Sequence, residues 1–177
     1  MKISIIGTLL LATMIAGCDS YTSQQYQSNP QNTIALQNVA TTGKRATVAQ
    51  VTLAEGIEAS PTCRLAGPID LGGGQDVATV IKQAILTELL AAGVHRQNGT
   101  PISIVVTELK PDSFNGTWTI ALRVSTPKGA YNVRQVTKFS TSFSAVAACN
   151  NTATAFNRAL SATILAVVQN PKFISLL

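Results

Sequence analysis

The spacing of apolar and polar positions changes along the chain and predicts its elements. From about residue 46 it predicts a strand over 46–54, a helix over about 75–92, three strands over 102–143 and a last helix before Asn170. Apolar residues recur every three or four positions in the first helix, at Val77, Val80, Ile81, Ala84, Ile85 and Leu89. This order predicts an α+β fold, with two helices packed on one face of a mostly antiparallel, roughly four-stranded sheet.

The first predicted hairpin, which turns at Asn115-Gly116, has two candidate registers. A tight two-residue loop would place Val105 and Leu109 on the core face. A bulge near Pro111 would place Ile104 and Val106 there instead. Both registers satisfy the apolar alternation, so the choice stays open.

The second predicted hairpin pairs Leu122 with Val133, which makes the apolar faces of its two strands coincide. Strand alternation then places Arg123, Arg134 and Lys138 on the opposite face. Three cations among short or apolar side chains suit an acidic partner, such as an anionic headgroup, a phosphorylated glycan or an acidic protein patch. The alternative is a solvated face whose cations discourage aggregation.

The start of the chain has the features of an export signal. Lys2 precedes a mostly apolar run over 3–15, and the small residues Ala16-Gly17 follow it. A membrane-spanning helix needs about 20 apolar residues, so this run is too short for a permanent span. The pattern therefore predicts a secretory signal peptide over 1–17.

The residues Ile15-Ala16-Gly17-Cys18 resemble a bacterial lipobox. The resemblance implies that the Cys18 thiol is diacylated, that the chain is cut before it, and that the new amine can be acylated. Several acyl chains on one residue would give effectively permanent membrane attachment. The alternative is an ordinary signal peptide with a chance cysteine. The lipobox predicts an envelope protein that faces the periplasm, and Asp19 favours the inner over the outer membrane without deciding between them.

The segment after the signal peptide is polar. Residues 19–45 are rich in Gln, Ser, Asn and Thr, a composition typical of disordered chain. We therefore expect 18–45 to be the lipidated cysteine and a flexible tether, with Tyr21 and Tyr26 in solvent. Such a tether would hold a single α+β domain, residues 46–177, on the order of 30 Å from the bilayer.

Charge and cysteine content narrow the class of protein. Thirteen Lys and Arg residues against eight Asp and Glu give a net charge of +5. These cations are not densely clustered, so we expect no nucleic-acid partner. Cys63 and Cys149 remain after Cys18 is assigned to lipid, and an even pair in an exported chain suggests a disulfide. It would stabilise the fold by about 4 kcal/mol. The alternative is two reduced, buried cysteines.

No motif identifies a reaction, a metal site or a cofactor. Gly72-Gly73-Gly74 lies between a predicted strand and helix but lacks the spacing of a phosphate-binding loop, so we interpret it as a turn. The single histidine, His95, follows a helix end and has no neighbour at metal-ligand spacing. The acidic residues form no evident catalytic pair. We therefore expect no catalytic residues, no metal and no cofactor.

From Cys63 to Phe173 the element order, behind a lipobox, resembles a group of small periplasmic lipoproteins. The group includes the lipopolysaccharide-assembly lipoprotein, the YajG-type lipoproteins and auxiliary lipoproteins of envelope transport systems. The likeness beyond the lipobox lies in the helix end at 89–93 and in the helix and tail over 156–173. It implies a role in envelope assembly or as an adaptor, and it transfers no functional residue.

Three functions remain under consideration. The leading one is a non-catalytic, lipid-anchored interaction protein whose partner is an envelope protein or an anionic glycan or lipid. A carrier of a small apolar or lipid ligand would need a gap between sheet and helices. A glycan-acting hydrolase would need titratable side chains that converge in a pocket.

We predict that Cys18 carries the lipid. Cys18→Ser should leave an unprocessed precursor, because the lipobox thiol is the acylation site, and it should abolish acyl-chain labelling. Gel mobility and metabolic labelling with a fatty-acid analogue measure both effects. Normal maturation and labelling of the variant would remove the anchor from the interpretation.

Overall fold

The computed structural model describes residues 21–177, so the predicted signal peptide, Cys18 and Asp19 lie outside the described residues. The elements in chain order are β1 (Tyr21–Thr22), α1 (Pro30–Thr41), β2 (Ala46–Leu53), β3 (Thr62–Cys63), β4 (Gly67–Asp70), α2 (Val77–Ala91), β5 (Thr100–Asp112), β6 (Thr117–Thr126), β7 (Gly129–Lys138), α3 (Ala145–Gln169) and α4 (Pro171–Leu176). Within this part of the chain, none of the helices combines the length and the apolar character that crossing a bilayer requires.

The main sheet has the strand order β2-β5-β6-β7 in the described part of the chain. β2 runs parallel to β5, and the two later pairs are antiparallel. Helices cover the face on which the apolar strand positions are buried, with Trp118, Ile120 and Leu122 fully enclosed. This confirms the predicted α+β class with helices packed on a roughly four-stranded sheet. A small second sheet, β1-β4-β3, lies beside it.

The strand registers settle the choice that the sequence left open. Leu122 pairs with Val133, as predicted for the second hairpin. In the first hairpin a bulge between Val106 and Glu108 shifts the alternation, so that Ile104 and Leu109 are both buried. The bulge therefore lies nearer the middle of β5 than the predicted position at Pro111. It brings Ile104 and Val106 on one side of it and Leu109 on the other into the core, while Val105 lies on the opposite face.

Capping residues mark both ends of α2, and the glycine run before it forms the predicted turn. The Asp76 side chain caps α2 by accepting from the Thr79 N–H at 3.0 Å. Gly93, just beyond the helix end, has a φ of 70°, the left-handed conformation that glycine adopts without strain. In the glycine run, the Asp70 carboxylate accepts from the N–H groups of Gly72 and Gly74, each at 2.9 Å. An internal carboxylate thus occupies the N–H groups that a phosphate would need.

The predicted flexible tether is wrong for its described part. Asn29 caps α1 and Pro30 occupies the first turn, an arrangement typical of a helix start. Leu36 and Val39 are fully buried against the other helices, and Tyr21 is only 2% exposed. The apolar stripe on α1 is short, so the polar composition of the segment concealed it.

A buried polar network attaches this N-terminal segment to the helices. The Glu88 carboxylate on α2 is fully buried. Its Oε1 accepts from the Tyr26 hydroxyl at 2.5 Å, the Asn29 backbone N–H at 2.9 Å and Asn32 Nδ2 at 3.0 Å. Asn32 Nδ2 also donates to the Ser161 carbonyl of α3 at 3.2 Å. Burial, and next the hydrogen bond to Glu88, raise the pKa of Tyr26, so this residue is not the solvated side chain that we expected.

A disulfide joins Cys63 of β3 to Cys149 of α3, across 86 positions of sequence. Both residues are buried. The pairing inferred from the cysteine count is the one that the structure contains. It holds the small sheet against the first turns of the longest helix, and the short α4 closes the opposite part of the core with Phe173.

We predict that Tyr26→Phe lowers the free energy of unfolding by about 1.5–3 kcal/mol, because it removes a hydrogen bond to a buried carboxylate. Urea unfolding followed by circular dichroism measures the change. Gln27→Ala, at the exposed neighbouring position, is the matched control and should be silent. Equal midpoints for the two variants would mean that the hydrogen bond from Tyr26 to Glu88 does not stabilise the fold.

We predict that replacing both Cys63 and Cys149 by Ser lowers the free energy of unfolding by about 4 kcal/mol, since the long loop is then free in the unfolded chain. Non-reducing peptide mapping of protein from the native envelope should recover the linked pair. Two free thiols in that material, or a variant as stable as the parent, would contradict the prediction.

Candidate functional site: the uncovered face of the sheet

Strands β5, β6 and β7 leave one face of the main sheet without a helix over it. Alternation along the strands turns every second side chain to this face. The register sets these residues in cross-strand rows: Val105-Arg123-Asn132, Glu108-Ala121-Arg134, Lys110-Thr119-Val136 and Asp112-Thr117-Lys138. We call this set the uncovered face. Arg123, Arg134 and Lys138 are all exposed on it, at the positions that the sequence assigned to them.

The three predicted cations differ in how they are partnered. Arg134 donates from Nε to Glu108 Oε2 at 2.8 Å and from its second guanidinium nitrogen to Oε1 at 3.3 Å. The hydrogen bonds to Glu108 raise the pKa of Arg134, and among residues 21–177 this is the only salt bridge. Arg123 and Lys138 therefore carry the charge that is available to a partner, while Arg134 is already neutralised in part.

Lys110 is a further cation on this face that sequence reasoning missed. It lies opposite Thr119, and Thr119 lies opposite Val136. The bulge in β5 decides which face Lys110 occupies, because one extra residue reverses the alternation beyond it. In the sequence, the face that Lys110 occupies depends on the register of the first hairpin, and that register was left open.

The middle of the uncovered face is flat and weakly apolar. Ala121 and Thr119 have short side chains, and Val136 is 45% exposed. Four cations and two carboxylates share the face with this aliphatic surface, and Glu108 is paired with Arg134. The face therefore combines contact area with an excess of positive charge, which suits an acidic surface. The described side chains of this face place no nucleophile beside a base.

Apart from Glu108, each side-chain carboxylate of the described chain either has a structural role of its own or is exposed on a loop. Asp70 closes the glycine turn, Asp76 caps α2, and Glu88 anchors the buried network. Asp112 accepts three hydrogen bonds inside its hairpin turn, and those from Asn115 are the main cause that lowers its pKa. Glu55 and Glu58 are exposed on one loop. These positions do not form the facing pair that glycoside hydrolysis uses.

His95 has a local backbone role after α2. Its N–H donates to the Leu89 carbonyl at 3.0 Å, and its backbone lies beside Ala46 of β2. Within residues 21–177, no group of three His, Cys, Asp or Glu side chains lies close enough to hold a metal ion. The arrangement at His95 thus links the end of α2 to the sheet.

The interior between sheet and helices is filled. A cavity of about 10 Å³ lies there, with a lining of Leu36, Ile85, Glu88, Leu89, Ile102, Ile104, Ile164, Val167, Val168 and Phe173. This volume is room for about one water molecule. A larger groove of about 540 Å³ opens on the surface between residues 23–26 and α2. It contains four glutamines and no charged side chain.

Comparison with protein-family models and with curated proteins found no match. Among solved structures, the chain is similar to a protein whose title reads "Crystal structure of uncharacterized protein". The TM-score is 0.45 and the sequence identity is 9%, over 84% of this chain and 95% of that one. A likeness this weak carries no argument about function, which has to come from the surfaces described above.

Proposed function

We propose that the protein is a lipid-anchored, non-catalytic adaptor of the bacterial cell envelope that faces the periplasm. The lipobox-like residues 15–18 and the cysteine pair support export and lipidation, since disulfides form in oxidising compartments. Asp19 favours the inner membrane. These N-terminal positions lie outside the described residues, so this part of the proposal depends on the sequence alone.

The observation that carries the binding role is the uncovered face. It is a three-stranded surface on which Arg123, Lys110 and Lys138 share one face with the exposed Val136. The partner assigned to this face is an envelope protein that carries an acidic patch. An anionic glycan or lipid headgroup would satisfy the same charges, and the experiment below separates these cases.

The two other functions have weaker support in the structure. A carrier needs a gap between sheet and helices, and the cavity there has room for about one water molecule. A hydrolase needs converging titratable groups, whereas Asp70, Asp76 and Glu88 each have a structural role elsewhere. The adaptor uses the surface that the fold leaves free.

We predict that a photo-crosslinking amino acid at Val136 of the full-length protein captures an envelope protein in living cells. Arg123→Glu with Lys138→Glu should abolish that crosslink, because charge reversal repels an acidic patch, while the melting temperature changes little. Mass spectrometry of the crosslinked species identifies the partner. In purified membranes the crosslink should weaken as salt concentration rises.

The matched control is Arg96→Glu with Lys172→Glu, which reverses two exposed cations away from this face. It should leave the crosslink intact. If the double reversal on the uncovered face also leaves it intact, the face is solvated surface only. A crosslink to glycan or lipid in place of protein would contradict the assigned partner.

A further inference from the structure

Three large apolar side chains stand in solvent at one end of the molecule. Phe143 is 107% exposed, Leu65 is 105% exposed and Phe114 is 71% exposed. We call these three residues the apolar tip. They come from three separate loops, after β7, after β3 and between β5 and β6. Single exposed apolar residues are ordinary, but a group of this size at one place marks an interaction site.

Arg64 holds the three loops together. Its guanidinium donates to the carbonyls of Phe143 at 3.1 Å, Ser142 at 2.8 Å and Ser113 at 3.0 Å. It also lies 4.6 Å from the centre of the Phe114 ring, a cation–π contact. Arg64 itself has a φ of 51°, a conformation that non-glycine residues rarely adopt. The apolar tip is therefore a built arrangement, in which one side chain is used to fix three loops.

The strand pairing shows where the chain before the described residues arrives. β1 is parallel to β4, with Tyr21 paired to Ile69. β4 begins at Gly67, directly after the turn that carries Leu65. Because the strands run in the same direction, the chain enters Tyr21 from the end of the small sheet at which Leu65 lies.

Cys18 is only three positions before Tyr21. Three residues span at most about 11 Å even when fully extended. The described chain thus begins at the end of the molecule that carries the apolar tip, and the length of chain between Tyr21 and Cys18 is short. After cleavage before Cys18, two residues, Asp19 and Ser20, would remain between the lipidated cysteine and the fold.

Two exposed cations lie near the hairpin end of β6 and β7, and the exposed carboxylates Glu55 and Glu58 lie on the loop from β2 to β3. Lys138 lies opposite Thr117, where the first hairpin turns, and Arg158 donates to the Lys138 carbonyl at 2.8 Å. Both cations are exposed. The nearby carboxylate of Asp112 is turned into its hairpin by hydrogen bonds to Phe114 and Asn115. Apolar side chains at the tip with cations behind them are the pattern of proteins that bind an anionic membrane surface.

We infer that the apolar tip inserts into the interfacial region of the bilayer that carries the lipidated Cys18. The inference rests on the proposed lipidation. The lipid and the apolar tip then act as two adjacent membrane contacts, and the domain lies directly on the bilayer. It is not held at a distance on a flexible tether.

The test uses the full-length lipidated protein in vesicles of phosphatidylethanolamine and phosphatidylglycerol. Acylated Cys18 and the Cys63–Cys149 disulfide leave no other free thiol among the cysteines, so a single introduced cysteine can be labelled selectively. One variant is Leu65→Cys, and Phe143→Cys is a second variant in case the first folds poorly. Each carries an environment-sensitive fluorophore, and the quencher is a nitroxide on the lipid acyl chains.

The matched control is Pro127→Cys, exposed in the turn at the opposite end of β6. A ten-residue strand such as β6 is about 30 Å long. Labels at Leu65 and Phe143 should be quenched severalfold and shift to shorter emission wavelength, while the Pro127 label stays unchanged.

Two outcomes would overturn the inference. Tip labels that are no more quenched than the Pro127 label would show that the apolar tip stays in water. Tip labels that are shielded from aqueous iodide but unreached by the lipid quencher would show that a second copy or another protein covers it. Failure of the proposed function looks different, because a protein without acyl chains has no lipid mass on Cys18 and does not stay with the vesicles after flotation in high salt.

Discussion

The buried carboxylate of Glu88 is the constraint from which the placement of the N-terminal segment follows. A carboxylate in the interior is costly unless hydrogen-bond donors surround it. Here the donors come from Tyr26, Asn29 and Asn32, and the Asn29 N–H lies at the N-terminal, positive end of α1. Because these donors belong to the N-terminal segment, that segment has to fold against α2 and α3. The start of the described chain at Tyr21 is placed separately, by the pairing of β1 with β4.

A second set of constraints positions the small sheet and the loops beside it. The Cys63–Cys149 disulfide attaches the small sheet to α3, and the adjacent Arg64 binds the loops at 113 and 142–143. The covalent bond and the guanidinium thus act on neighbouring residues. Together they fix the positions of the loops that carry the apolar tip.

The two proposed contact surfaces would have different roles in an anchored adaptor. The apolar tip and Cys18 would determine how the domain lies on the membrane. The uncovered face, with Arg123 and Val136, would then be presented to a partner in the periplasm. Lys138 lies where the two surfaces meet, at the hairpin end of the sheet. A fixed orientation reduces the entropy lost when the partner binds, which is an advantage that a long flexible tether lacks.

The sequence by itself determined the features that depend on local periodicity and turn chemistry. The order of the four main-sheet strands and the two long helices from residue 46 follows from patterns within a few residues, and so does the pairing of Leu122 with Val133. The cysteine pairing followed from counting. Local patterns depend on neighbouring residues, and two remaining cysteines allow one pairing. Both can therefore be inferred from a single sequence.

Only the tertiary structure decided the rest. The bulge in β5 had to be chosen by the core, because two registers bury apolar residues equally well in sequence. Helix α1 is polar in composition and is stabilised by Leu36, Val39 and the distant Glu88, a partner that no local pattern reveals. The apolar tip joins loops about Arg64 that are far apart in the chain. Contacts between distant segments depend on the whole packed core, so no window of sequence contains them.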